Sequence, residues 1–204
     1  MPGPIALQPG RYYHIFNRGN NRENIFIEKD NYSYFLKLYS KYIVPIAKSY
    51  AYGLLLNHFH ILVKIKTLEE CSSYLKGPKD LSGMMIYNPS RQFGHFFNAY
   101  AKTINNRYKR TGSLFQKPFR RVEIKNESHL LRTVIYIHQN PQKHGFISDF
   151  RLWPYTSYQS FLFPGLSHIQ REEVLSWFNG EQDFCDSHQV FSESQEMRSW
   201  ILDV

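Results

Sequence analysis

Apolar positions along the chain alternate between a period of two and a period near 3.6, which predicts strands interleaved with helices. Arg11–Phe16 is aromatic-rich and predicts a first strand, and Asn17–Arg22 predicts a turn holding two cations and several amides. Asp30 is placed to cap a helix running to about Val44, with Tyr32, Phe35, Leu38, Tyr39, Tyr42 and Ile43 on its inner face. Ser49–Lys66 predicts the second strand region, followed by a short helix from about Glu69 to Leu75. Gly77–Arg91 reads as a loop broken by Gly77-Pro78, Ser82-Gly83 and Asn88-Pro89. Gln92–Tyr108 has a helical pattern, Thr111-Gly112-Ser113 a turn, and Leu114–Lys125 a strand or hairpin arm. A last long helix opens at Glu127-Ser128, carries Leu130, Leu131, Val134, Ile135 and His138 on one side, and is expected to end at Pro141. Trp153–Tyr158 closes this main domain, so residues 1–165 are expected to form one unit and 166–204 an acidic helical C-terminal appendage beginning after Pro164-Gly165.

Within the second strand region, the run Asn57-His58-Phe59-His60-Ile61-Leu62-Val63 carries the most chemistry. On a strand, His58 and His60 share one face and Phe59 points to the other, into the core. Two imidazoles on one face of a rigid element form half of a divalent-metal site; the same pair can also be a solvated face of an antiparallel sheet. A cupin-type site would need a carboxylate soon after the second histidine, and the next acid is Glu69. Zinc-finger chemistry is disfavoured because Cys71 and Cys185, the two cysteines, have no paired spacing.

Composition narrows the setting. A chain of 204 residues, 42% of them hydrophobic, can bury a substantial core. Two distant cysteines argue against a disulfide framework, and with no signal-like or membrane-spanning run they lead to the expectation of a cytoplasmic protein without a membrane partner. The formal charge of +8 is unevenly spread. Nine cations against Glu123 alone occupy residues 91–125, whereas residues 168–204 hold eight acids against Arg171 and Arg198. A basic middle suits a polyanion, and its interleaved aromatics offer stacking surfaces for bases, although their helical spacing assigns most of them to the core.

Tyr136 sits one step away from the Leu131/Val134/Ile135 stripe of the last long helix, which predicts a flanking position. Asn140 lies one turn further on the same side. A tyrosine and an amide facing two histidines would support phosphoryl transfer. The phenol attacks phosphorus, a metal neutralises developing charge, and the amide oxygen supplies a third ligand. Free tyrosine, with its pKa near 10, is a weak nucleophile, so such a site depends on positioning.

Five segments in order carry a family likeness: Tyr13–Arg22, Asn57–Val63, Gly112–Phe119, Tyr136–Pro141 and Trp153–Tyr158. Together the chain resembles the single-tyrosine HUH transposases, specifically the REP-associated tyrosine transposases. It departs from them in having Leu55-Leu56 where the family often has Met-Pro. The resemblance implies a ferredoxin-like or RRM-like α+β fold, an antiparallel sheet with helices packed on one face, plus the C-terminal helical appendage. It implies Tyr136 as a nucleophile forming a 5′-phosphotyrosine on single-stranded, hairpin-forming repeat DNA, with His58, His60 and Asn140 holding Mg²⁺ or Mn²⁺. Candidate DNA-binding residues are Asn17, Arg18, Arg22, Arg107, Lys109, Arg110, Lys117, Arg120, Arg121 and Lys143. Relatives include monomers and homodimers with exchanged helices. Two other readings use the same residues differently: a hairpin DNA or RNA binder without chemistry, and a phosphodiesterase using water, which would want a second histidine motif.

Overall fold

In a computed structural model, residues 5–71, 88–163, 165 and 167–190 are described. Four strands form one antiparallel sheet: β1 (Tyr12–Arg18), β2 (Ala47–Leu54), β3 (His58–Ile65) and β4 (Arg120–Ile124), in spatial order β2-β3-β1-β4. Helix α1 (Lys29–Tyr42) joins β1 to β2, and α3 (Pro89–Arg107) precedes β4; the single-turn α2 (Leu68–Cys71) lies between β3 and α3. This is the ferredoxin-like order expected, α+β with antiparallel pairing throughout.

Strand alternation sorts the sheet into two faces. Tyr13, Ile15, Phe59, Ile61, Val63 and Ile65 join Phe35 of α1 and Phe93, Phe96 and Tyr100 of α3 in one core. Leu62, Tyr50, Ala51 and Ile124 join a second core with Val134, Ile135 and Ile137 of α4 (Glu127–Lys143). The expectation of helices on one face therefore covers only α1 and α3. The second face is closed by α4, α5 (Gln159–Leu162), α6 (Arg171–Trp177) and α7 (Glu181–Val190).

The acidic segment is thus bound to the sheet by its apolar side. Val174, Leu175, Phe178 and Phe184 are buried, and Glu173 accepts hydrogen bonds from the hydroxyls of Tyr12 and Tyr50. From α7, His188 reaches His138 of α4 at 2.8 Å, and His138 in turn reaches the Ser157 hydroxyl at 2.8 Å.

Several boundaries differ from the sequence expectations for physical reasons. β1 continues through Asn17 and Arg18 because both pair with β3, opposite Phe59 and His58. Glu28, not Asp30, precedes α1, where the Asn31 side chain accepts from the backbone N–H groups of Ile27 and Glu28. Asn88-Pro89 opens α3 rather than breaking the chain: Asn88 accepts from the Arg91 N–H, and proline is well placed at the first helical position. The rest of the expected loop, and the end of the Glu69–Leu75 helix, lie outside the described residues. Leu114–Phe119 does not join the sheet as a strand, apart from a bridge between Phe115 and Gly19.

The largest difference is at Pro141, which does not end α4; the helix runs on to Lys143. Proline has no N–H to give the Ile137 carbonyl four residues earlier. That carbonyl instead faces Gly53 of β2, where a Cβ would lie only 2.8 Å from it. Gly53 therefore admits the part of α4 that proline has altered, and Gly53 pairs with His60 across the β2–β3 ladder.

Candidate active site

The close approach at Gly53 sets α4 over the histidine face of β3. His58 and His60 project from this face and Phe59 from the other, as alternation requires. Both histidines are buried, and residues 133–140 of α4 are buried without interruption because the sheet lies on one side and α5–α7 on the other. Tyr136 consequently does not sit on a solvated flank. Its ring stands edge-on to His60 with centroids 5.3 Å apart, and Asn140 is fully enclosed. Nucleophile candidate and histidine pair thus meet within one chain.

A third histidine completes the cluster. His14 of β1 is buried, stacks on Phe16 and on His60, and its Nε2 lies 2.9 Å from His60 Nδ1. Sequence reading missed it because its neighbours Tyr12, Tyr13, Ile15 and Phe16 make the strand look purely structural. Its parity with Phe16, which pairs with His60, is the signal that would have found it.

The hydrogen bonds constrain the protons. His58 Nδ1 is 2.6 Å from Asn57 Oδ1, an acceptor, so Nδ1 carries the hydrogen and Nε2 keeps its lone pair. That lone pair points at Asn140 Oδ1, 2.9 Å away, which is also an acceptor. Turning the amide would relieve this contact; so would a cation bound by both atoms. Two cis ligands about 2.1 Å from an octahedral ion are about 3 Å apart. His60 Nε2 and Asn140 Nδ2 are buried without a hydrogen-bond partner among the described residues. If His60 Nδ1 donates to His14, its Nε2 is likewise left as a lone pair.

Burial keeps these rings neutral, the form that binds metal. Desolvation lowers the His14 pKa to about 3 and that of His58 to about 4, the Asn140 oxygen, which would accept from a protonated His58, partly opposing the latter. His60 is held well below its ordinary value by burial and then by His14 and His58. The donor set thus fits a divalent ion: two neutral imidazole nitrogens and an amide oxygen, with unpartnered atoms among them. No group of three His, Cys, Asp or Glu among the described residues forms such a site, so the amide is needed.

The cations expected to meet DNA divide into separate groups. Arg18 and Arg120 occupy the histidine face: Arg18 pairs with His58, and Arg120 with Phe16. Burial first, then Arg22 and Arg120, lower the Arg18 pKa, so these three guanidiniums share a field, and Arg18 Nε is buried without a partner among the described residues. Lys143 Nζ lies 5.4 Å from the centre of the Tyr136 ring. Arg107 and Arg110 instead pair with Glu28 and Glu23, and exposed Lys109 adopts a left-handed turn between them. Lys117 and Arg121 line a cavity on the α3 side of the sheet. Asn17 is buried, and its side chain bonds to the Gln116 carbonyl and the Arg18 N–H.

The class defined by this geometry is a ferredoxin-like α+β domain whose histidine-bearing central strand faces a tyrosine on a covering helix. A solved structure of a REP-associated tyrosine transposase bound to a REP hairpin has this fold: the TM-score is 0.56, over 82% of this chain and 87% of that one, at 16% identity. No family model matches the chain, and no curated protein matches it by sequence. The similarity establishes the fold.

Proposed function

We propose that this protein is a REP-associated-type tyrosine transposase that cleaves and rejoins single-stranded, hairpin-forming DNA. The observation carrying this reading is the convergence of Tyr136 and Asn140, one helical turn apart, on the buried His58/His60 pair. The structural neighbour, itself bound to a REP hairpin, supports hairpin DNA as the substrate class.

Tyr136 is the nucleophile. Its hydroxyl oxygen attacks the scissile phosphorus, the bond from phosphorus to the 3′ oxygen breaks, and the freed 3′ oxygen takes up a proton. The product is a 5′-phosphotyrosine and a 3′-hydroxyl; attack by a 3′-hydroxyl on that ester reverses the step and rejoins strands. His58, His60 and Asn140 would hold Mg²⁺ or Mn²⁺, which supplies charge neutralisation at a phosphate oxygen. His14 holds His60 in the tautomer that leaves Nε2 free to bind. Arg18, Arg22 and Arg120 bind neighbouring phosphates, and Lys143 attracts the strand to the tyrosine. All these groups come from one chain, so a monomer can carry a complete site. No described helix is long and apolar enough to cross a membrane, and a cytoplasmic location accords with the DNA substrate.

The test is a denaturing gel for covalent protein–DNA adduct on hairpin oligonucleotides with single-stranded flanks, with and without Mn²⁺. Wild type gives a metal-dependent adduct and Tyr136→Phe gives none while binding the hairpin as before. Tight binding with no adduct in the wild type would refute catalysis and leave a hairpin-binding protein.

A further inference from the structure

On the opposite side of the sheet from Tyr136, a cavity of about 650 Å³ opens between α3 and the Gly112–Phe119 segment. It lies within the volume range of small-molecule sites. Phe97, Phe115 and Phe119 give it an aromatic lining, and among the described residues that line it the charged ones are Lys117 and Arg121, with no acid.

Two features have no explanation within the packing of the described residues. The first is Gly94, in the interior of α3. Its backbone is ordinary helix, and a Cβ built there meets nothing within 4 Å. Glycine is disfavoured inside a helix relative to alanine, and here it relieves no internal clash. What it provides is a bare wall facing the cavity. The second is Arg121. Its guanidinium lies 3.9 Å above the Phe119 ring and one terminal nitrogen bonds to the Ser90 hydroxyl at 2.8 Å, yet its Nε is buried without an acceptor among the described residues. Packing holds this cation in the cavity wall with one donor unused. Burial also lowers its pKa, which marks the cost of keeping the charge there.

An occupant matching these features is flat and apolar enough to lie on phenylalanine rings, approaches the helix backbone closely, and carries an anion or carbonyl for Arg121. A nucleotide has all three properties, and the one-sided charge of the lining favours its phosphate. We propose that the cavity between α3 and Gly112–Phe119 binds one unpaired nucleotide of a DNA strand, its base among Phe97, Phe115 and Phe119 and its phosphate on Arg121 and Lys117. This rests on the DNA reading above but not on Tyr136 chemistry: it gives the chain a second contact with single-stranded DNA, away from the metal-binding face.

Gly94→Leu is the discriminating variant because the open space at this position accommodates a side chain that projects into the cavity while leucine favours the helix. Fluorescence anisotropy without metal would compare a labelled 12-nucleotide thymidine strand with a labelled blunt hairpin, for wild type, Gly94→Ala, Gly94→Leu and Arg121→Gln. Thermal unfolding would check each fold. Gly94→Leu and Arg121→Gln are expected to weaken single-strand binding about tenfold, within the range for one stacked base, with Gly94→Ala falling between Gly94→Leu and wild type and hairpin affinity unchanged in both Gly94 variants. Single-strand affinity of folded Gly94→Leu within twofold of wild type would overturn the site, as would an equal loss on both probes. If wild type binds neither probe, the site and the DNA reading fail together; an adduct absent despite the expected binding pattern refutes only the catalytic reading.

Discussion

Replacing Gly53 with alanine tests how the site is assembled without touching any group in it. The added Cβ would lie 2.8 Å from the Ile137 carbonyl oxygen, whereas ordinary contact begins near 3.4 Å. Helix α4 must therefore retreat from β2 by about 0.6 Å, or β2 must bend by as much. The carbonyl cannot swing away at no cost, because it is helix backbone one residue beyond Tyr136. Forced overpacking of this kind costs roughly 1–3 kcal/mol of stability. Misplacement by 1 Å can cost about a hundredfold in rate, so a displacement of this size should slow adduct formation by roughly tenfold or somewhat more. The assay is single-turnover adduct formation with Mn²⁺ and saturating hairpin DNA, at a temperature where circular dichroism shows the variant folded. Hairpin affinity should change little, since Gly53 is buried on β2 while Arg18 and Arg120 stand on β1 and β4, across β3 from it. A folded Gly53→Ala protein whose adduct rate stays within twofold of wild type would refute the idea that glycine sets the tyrosine-to-histidine spacing.

Three further outcomes follow from the histidines and the α7 contact. His14→Phe keeps the stacked ring but loses the acceptor for His60, and should weaken Mn²⁺ binding about 10- to 100-fold by electron paramagnetic resonance titration, with His14→Gln recovering part of it; equal affinities would remove His14 from the metal's support. The depressed values for His14 (about 3), His58 (about 4) and His188 (about 4) mean that the unfolded chain binds more protons than the folded one below pH 6.5. Stability should therefore fall as pH drops from 6.5 toward 4, by up to about 1.4 kcal/mol per pH unit for each of these rings, and urea midpoints that stay flat from pH 7 to 4.5 would contradict their burial as neutral groups. His188→Ala, which leaves His138 Nδ1 without its buried partner, should lower stability by about 1–3 kcal/mol in urea unfolding and slow adduct formation, whereas a loss of stability alone would separate α7 from the placement of Tyr136.

The strand–helix alternation, the shared face of His58 and His60, and the one-turn spacing of Tyr136 and Asn140 were legible because each follows from a local period. What escaped depended on contacts between distant segments. Pro141 reads as a stop in isolation, and only the bare backbone of Gly53, far away in sequence, shows why the helix continues. His14 becomes part of the cluster through β1–β3 register, which no single strand displays. The acidic charge of residues 168–204 gives no hint of the appendage's apolar side. Its inward residues, Phe178 and Phe184 among them, complete a core. Charge counting also overstated a single basic surface, since Arg107 and Arg110 are paired with acids near α1 while Arg18 and Arg120 flank the histidines.

The link from His188 to His138 also bears on the order in which a growing chain matures. Ribosomal synthesis delivers β1, β3 and α4 well before α7, and until His188 emerges, His138 lacks its Nδ1 partner and Gln139 lacks the His188 carbonyl to which its amide donates. Both residues lie between Tyr136 and Asn140 on the same helix. A nascent protein would hold its histidines and tyrosine before it holds them firmly, so the proposed site would gain full competence only once α7 has emerged and folded back onto α4.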